Sequence, residues 1–196
     1  MTILEAKRGQ HFLRVLQERL RGYPLEHYIS TAEYLAVNRD KMGISLCEAT
    51  EAGLLHDICK HDGDELLLAK AQEYGIPVSD VQREFPTLLH GPVAAEECHR
   101  NHDLPESVYE AIYWHTTGKP ELGPVGMALY FADYAEPLRI FPEAQHARNL
   151  LDREGFGTAL RFVVANKHAY IMQKHTHVDP MTHAFFEWLQ QFPEIP

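Results

Sequence analysis

Nine consecutive residues, Ala52-Gly53-Leu54-Leu55-His56-Asp57-Ile58-Cys59-Lys60, limit this chain more than any other stretch. An apolar run that must pack into a core leads directly into an adjacent imidazole and carboxylate. A metal-ligand pair buried without its metal is penalised, because unpaired polar groups cost free energy in an apolar setting. The doublet alone proves little, and the chain carries its own controls. His61-Asp62 and His102-Asp103 are also His-Asp pairs, but both lie in polar, loop-like sequence where solvated side chains are the ordinary expectation. Only His56-Asp57 follows a run that has to be buried.

The rest of the chain reads as helix after helix, with no run of alternating strand pattern. Helices are predicted over about 3–21 and 25–38, the second with Ile29, Leu35 and Val37 as its apolar positions. Ser45 and Glu48 form a capping box opening a helix that ends near Lys60, and another runs from Asp64 to a Gly75 cap. Residues 76–87 read as a long connection and His90 opens or precedes a helix to about 100. Pro105 suits the first turn of a helix to about Thr116, and a Gly/Pro loop leads into a helix over about 125–136. Two C-terminal helices, about 156–174 and 180–192, complete an all-α chain of 196 residues. That length suits one domain with a substantial core.

The three cysteines, Cys47, Cys59 and Cys98, are too scattered for a disulfide framework or a thiolate zinc site and read as reduced thiols. No stretch approaches the roughly 18 apolar residues of a membrane span, and the N-terminus lacks a signal-peptide core, so the expected place is the cytoplasm, away from membranes. Eighteen basic against 28 acidic residues leave a net charge of −10, which opposes binding to nucleic-acid polymers. A small phosphorylated ligand remains compatible if cations are supplied locally.

Thirteen histidines are the compositional anomaly. His27, His56, Asp57, His90, His115 and Asp133 each lie in strongly apolar or tightly turning sequence, and all but His90 fall inside predicted helices. In a helical bundle such side chains can build a metal site in the core. Taken singly, each histidine is more ordinarily a hydrogen-bonded core residue, and Asp133 can simply pair with Arg139. Together, four imidazoles and two carboxylates exceed the needs of one four-coordinate ion and suit two, with Asp57 bridging. Such mixed ligation favours iron, manganese or zinc over magnesium or calcium. Sequence spacing does not establish that the six converge. His11, His61, His99, His102 and His146 read as solvated. His168, His175, His177 and His183 crowd the C-terminal helices, where Phe185, Phe186, Trp188 and Phe192 read as packing residues.

The order His, His-Asp, His, His, Asp resembles the HD-domain metal-dependent phosphohydrolases. The local wording is similar to one branch, the symmetrical diadenosine-tetraphosphate hydrolases of the YqeK type. The matching segments are Ala52–Lys60, Leu88-Leu89-His90-Gly91-Pro92-Val93-Ala94-Ala95, Ala111-Ile112-Tyr113-Trp114-His115-Thr116-Thr117-Gly118, and the run Tyr130 to Arg139 with its AD-x-x-EP-x-R form. At the first ligand the chain departs from that branch, having Tyr23-Pro24-Leu25-Glu26 before His27 where a basic and an aromatic residue are usual. The resemblance implies one HD domain over 1–196, with a metal-site core at about 25–140 and additional C-terminal helices at 141–196. It implies two divalent ions, iron foremost with manganese or zinc as substitutes, held by His27, His56, Asp57, His90, His115 and Asp133. A metal-activated hydroxide would cut diadenosine tetraphosphate at its centre into two ADP. Asp57 and Lys60 would carry the chemistry, and Lys60, Thr116, Thr117, Gly118 and Arg139 would contact phosphate. A homodimer is a further implication. An HD phosphatase or phosphodiesterase for another nucleotide, or a non-catalytic nucleotide or metal sensor, stays open.

Overall fold

A computed structural model describes residues 7–22, 25–174 and 177–191. Among the described residues there are eleven α-helices, one 3₁₀ turn and no strand. In chain order the helices are α1 (Lys7–Arg19), α2 (Glu26–Met42), α3 (Leu46–Leu55), α4 (Asp64–Tyr74), α5 (Asp80–Glu84), α6 (His90–His102), α7 (Glu106–Trp114), α8 (Pro124–Ala135), α9 (Pro142–Arg153), α10 (Phe156–Lys174) and α11 (Pro180–Gln191); the 3₁₀ turn is Pro86–Leu89.

The helix starts follow from local chemistry. The Ser45 hydroxyl accepts the Glu48 N–H while the Glu48 carboxylate accepts the Ser45 N–H, so two of the first-turn donors are satisfied reciprocally. Gly75 closes α4 at φ +73°, a left-handed conformation that costs a residue without Cβ little. Nine of the twelve residues of α8 are buried, so this helix runs through the interior with other helices on several sides. α2 packs on α3 and α8, α3 also meets α1, α7 and α8, α6 lies on α7, and α7 on α8. α10 joins α8, α9 and α11.

Several sequence expectations need correcting. The helix expected to reach Lys60 stops at Leu55, because the chain there turns through tighter bonds, Ile58 N–H to Leu55 O at 3.1 Å and Lys60 N–H to Asp57 O at 2.8 Å. The stretch read as a plain connection over 76–87 contains α5, opened by a Ser79–Gln82 capping box. The helix α9 went unread. On α2, Val37 is exposed and the buried stripe instead includes Tyr28, Ala32 and Leu35. The expected first helix is described only from Lys7, and Tyr23, Pro24, His175 and Phe192 lie outside the described residues.

The α2–α3 contact explains a glycine ahead of the His-Asp doublet. A Cβ on Gly53 would lie 2.4 Å from the Cα of Ala32, which only a backbone shift can relieve. Gly53→Ala is therefore expected to destabilise the protein by about 1–3 kcal/mol, as overpacked cores do. Thermal denaturation checks this; at about 2–4 °C per kcal/mol for a chain of this size, an unchanged melting temperature would contradict the close approach.

Candidate metal centre

Four of the six sequence candidates stand at helix ends. His56 is the C-cap of α3, Asp57 follows in the turn, His90 is the first residue of α6, and His115 is the C-cap of α7. His27, in the first turn of α2, and Asp133, in the last turn of α8, are also within one turn of a helix end. Helix ends suit this purpose because backbone polar groups there lack intrahelical partners and can hold side chains.

Three imidazoles are held by one local rule. The Nδ1 of His56 is 2.9 Å from Gly53 O, that of His90 is 2.5 Å from Thr87 O, and that of His115 is 2.8 Å from Ile112 O. A carbonyl oxygen only accepts, so each Nδ1 carries the proton and, in the neutral ring, each Nε2 presents a bare lone pair. His27 is held differently: its Nδ1 is 3.2 Å from the Glu136 carboxylate. Glu136, almost wholly buried, also accepts from the Ser30 hydroxyl at 2.5 Å and the Leu138 N–H at 2.7 Å.

The lone pairs converge. The Asp57 Oδ1 lies 3.1 Å from His90 Nε2 and 3.3 Å from His115 Nε2. The other oxygen, Oδ2, lies 3.4 Å from His56 Nε2 and 3.7 Å from His27 Nε2. The Asp133 Oδ1 adds 3.1 Å to His27 Nε2 and 3.9 Å to His56 Nε2. Two ligand groups thus share one carboxylate: His27, His56, Asp57 and Asp133 on one side, Asp57, His90 and His115 on the other.

This arrangement passes a test of fit to divalent cations. Asp57 Oδ1 is buried and has no hydrogen-bond donor. Acceptors facing acceptors at these distances repel unless something positive lies between them. Protons serve poorly at His115, whose burial pushes its pKa down to about 4. Burial opposes the Asp57 charge too, but the field of His56 and its neighbours outweighs that and holds the carboxyl well below the usual range. An anionic, nitrogen-and-oxygen donor set in a closed setting is what a borderline divalent metal needs.

Cations and hydroxyls edge the cluster. Lys60 Nζ is 2.5 Å from Asp57 Oδ2 and its side chain is 42% exposed. Arg139 reaches Asp133 Oδ1 at 2.9 Å and stands 3.6 Å from Glu136. The Thr116 hydroxyl lies 3.3 Å from His90 Nε2 and 3.2 Å from His115 Nε2. Thr117 and Gly118 are otherwise engaged: the Thr117 hydroxyl donates to Gly118 O, and the Gly118 N–H donates to Trp114 O at 2.7 Å. Gly118 sits at φ +71°, and a Cβ there would strike the Phe185 ring. Gly91 serves the site by its smallness, since a Cβ would stand 3.1 Å from the His115 ring.

Sequence reasoning missed two groups. Glu136 stood in the sequence only within the AD-x-x-EP-x-R run, although its place between Asp133 and Pro137 puts it beside the cluster. Lys167, on α10, gave no sequence signal at all. Asp62 was expected to be solvated, yet it takes Arg19 at 2.7 Å and Lys70 at 2.9 Å. With Cys59 and Glu97 it forms a third donor group, already neutralised by those cations. Burial keeps the Cys59 thiol protonated, its pKa pushed up to about 12.

Glu136→Gln keeps the shape but removes the charge that orients His27. We expect cation affinity to fall by roughly tenfold or more, the usual effect of losing such an outer carboxylate. Titration with manganese(II) followed by electron paramagnetic resonance reads this directly; wild-type affinity would contradict the role.

Comparisons with known proteins agree with the geometry. The model of the family described as HD domain matches residues 25–138. A symmetrical bis(5'-nucleosyl)-tetraphosphatase of Bacillus subtilis is 26% identical over 178 residues, covering 90% of this chain and 95% of that one. Its namesake in Staphylococcus aureus is 28% identical over 145 residues, 72% of this chain and 73% of the other. Among solved structures, a "predicted HD superfamily hydrolase involved in NAD metabolism" from Clostridium acetobutylicum superposes with a TM-score of 0.85 at 23% identity, covering 93% of this chain and 96% of that one. At that identity the likeness speaks for the fold. No described helix is long and apolar enough to cross a membrane.

Proposed function

We propose a function from the premise that this chain belongs to the HD-domain family. It hydrolyses dinucleoside polyphosphates, diadenosine tetraphosphate foremost, at the centre of the phosphate bridge, releasing two nucleoside diphosphates. The observation that carries this reading is the single Asp57 carboxylate facing two ligand groups, one through each oxygen. Two relatives named as symmetrical tetraphosphatases, matched over most of the chain, support the substrate.

His27, His56, Asp57 and Asp133 would hold one divalent ion and Asp57, His90 and His115 the other, iron foremost, with manganese or zinc as substitutes. When bound, two such ions would lower the pKa of water from about 15.7 toward about 7 and would neutralise charge on the phosphate under attack. The chain's own residues do the rest by position. Nδ1 contacts to backbone carbonyls hold three imidazoles in the tautomer that ligates. With Asp57 committed to cations, the half-exposed Lys60 ammonium is available to a phosphate, and Arg139 stands beside Asp133. Thr116 offers a hydroxyl at the inner rim, and the turn made by Thr117 and Gly118 holds it there. These cations matter because the protein as a whole is acidic and its substrate is a polyanion.

The test is product identity. Metal-loaded protein given diadenosine tetraphosphate should yield ADP alone, and AMP with ATP would contradict central cleavage. A turnover panel with nucleoside monophosphates, cyclic nucleotides and alarmones, run beside it, should favour the dinucleoside polyphosphate.

A further inference from the structure

A cavity of about 630 Å³ lies where the chain after α8 meets α10, within the size range of small-molecule sites. Tyr134, Phe141, Asn166, Lys167 and Tyr170 are among its lining residues. None has a part in holding metal. The lining residue Lys167 lies within the fields of Asp133 and Asp57, so the cavity is near the cluster.

Its charged lining residues are one cation, Lys167, and one carboxylate, Glu143. The Lys167 ammonium stands 3.8 Å from the centroid of the Tyr130 ring, one helical turn before Asp133 on α8. Lys60, Lys70, Lys119 and Arg139 each have a carboxylate partner. For Lys167, among the described residues, no carboxylate lies within ion-pair distance. The charged groups whose fields reach it are Asp133, Arg139, Lys60 and Asp57, all members of the site. Burial lowers its pKa to about 8, against the pull of Asp133. A half-buried cation without a counterion, facing a proposed phosphate-cleaving centre, is short of an anion.

Three aromatic residues also line it. Tyr134 and Phe141 meet edge to face, their centroids 5.1 Å apart. Tyr170, 60% exposed, also lines it, with the Lys174 ammonium 5.9 Å from its centroid and no ring packed on it among the described residues. The Tyr134 hydroxyl donates to Asn166 Oδ1 at 2.7 Å, which leaves the amide NH₂ as that residue's remaining donor. Aromatic faces, an amide donor and an ammonium in one cavity match a nucleobase joined to phosphate.

We propose that this cavity is the nucleoside subsite of the active centre, with Phe141 and Tyr170 receiving the base and Lys167 binding the phosphate nearest the nucleoside. The inference rests on the hydrolase reading. It assigns substrate recognition to α10 and the segment after α8, mostly beyond the residues that the family model matches.

Tyr170 and Phe141 are exposed, so Tyr170→Ala and Phe141→Ala leave the core intact. In metal-loaded protein each should raise KM for diadenosine tetraphosphate by about tenfold, with a much smaller change in kcat. Calorimetric affinity for ADP should fall by a similar factor. Lys167→Met should weaken ADP binding about tenfold, and Lys167→Arg should restore most of it. Wild-type KM and ADP affinity in both aromatic variants would overturn the subsite. So would a change in oligomeric state on gel filtration without a change in KM, which would make the patch a contact between copies. If wild-type protein fails to cleave diadenosine tetraphosphate centrally, the hydrolase reading fails, and the ADP affinities still decide the subsite separately.

Discussion

Asp57→Asn is expected to lower kcat/KM for diadenosine tetraphosphate by roughly 10³-fold or more, while making the metal-free protein less stable at neutral pH. The first effect follows from removing the carboxylate shared by both ligand groups; losing the several kcal/mol that two cations contribute to the transition state scales at about 1.4 kcal/mol per tenfold. The second follows from the Asp57 charge: the field of His56 and its neighbours holds the carboxyl well below the usual range, so its ionised form stabilises the metal-free fold, a contribution present at neutral pH and lost as pH falls. The lost contact with Lys60 adds little, because that side chain is half exposed. Activity and metal-free melting temperature measured on the same variant check both. Wild-type kcat/KM in the metal-loaded variant would contradict the shared carboxylate, and an unchanged metal-free melting temperature would contradict the hold of its neighbours on its charge.

Divalent cations should raise the melting temperature of the wild-type protein by a large amount, and more at pH 8 than at pH 6. At a free cation concentration about 1,000 times the dissociation constant, binding adds about 4 kcal/mol, or roughly 8–16 °C. The pH dependence has a definite sign. Burial opposes the positive charge of His27, but the hydrogen bond to Asp133 prevails and its pKa is raised above 6.5 in the metal-free protein. A raised pKa means that protonated His27 stabilises the metal-free state fully below 6.5, and that this contribution is lost as pH rises through the folded value. Cation binding must displace that proton. The metal-induced shift therefore shrinks as pH falls, and scanning fluorimetry at the two pH values reads it. A shift equal at both, or absent, would contradict the assignment of His27.

The helical nature of the chain and most helix positions were legible in the sequence, because caps such as Ser45–Glu48 and Gly75 act over three or four residues. The helix α9 was not. Its buried face is Ala144, Ala147 and Leu151, and alanine carries too little apolar contrast to mark a stripe. The early end of α3 was hidden because an imidazole, not a glycine, terminates it by taking the Gly53 carbonyl. The six candidate ligands were nameable from apolar context and segment wording, yet their convergence is a tertiary fact. His27 and Asp133 are brought to 3.1 Å by packing of α2 on α8. Lys167 comes from a helix with no motif, so only the fold brings it beside Asp133.

The most direct test of the central claim is the number of ions each chain retains. Protein stripped with chelator, reloaded anaerobically with iron(II) or manganese(II), desalted and analysed by plasma mass spectrometry should hold two ions per chain, and Asp57→Ala should hold fewer. Two ions would agree with a carboxylate shared between His27, His56 and Asp133 on one side and His90 and His115 on the other. Wild-type protein that retains none, or only one under saturating metal, would contradict it.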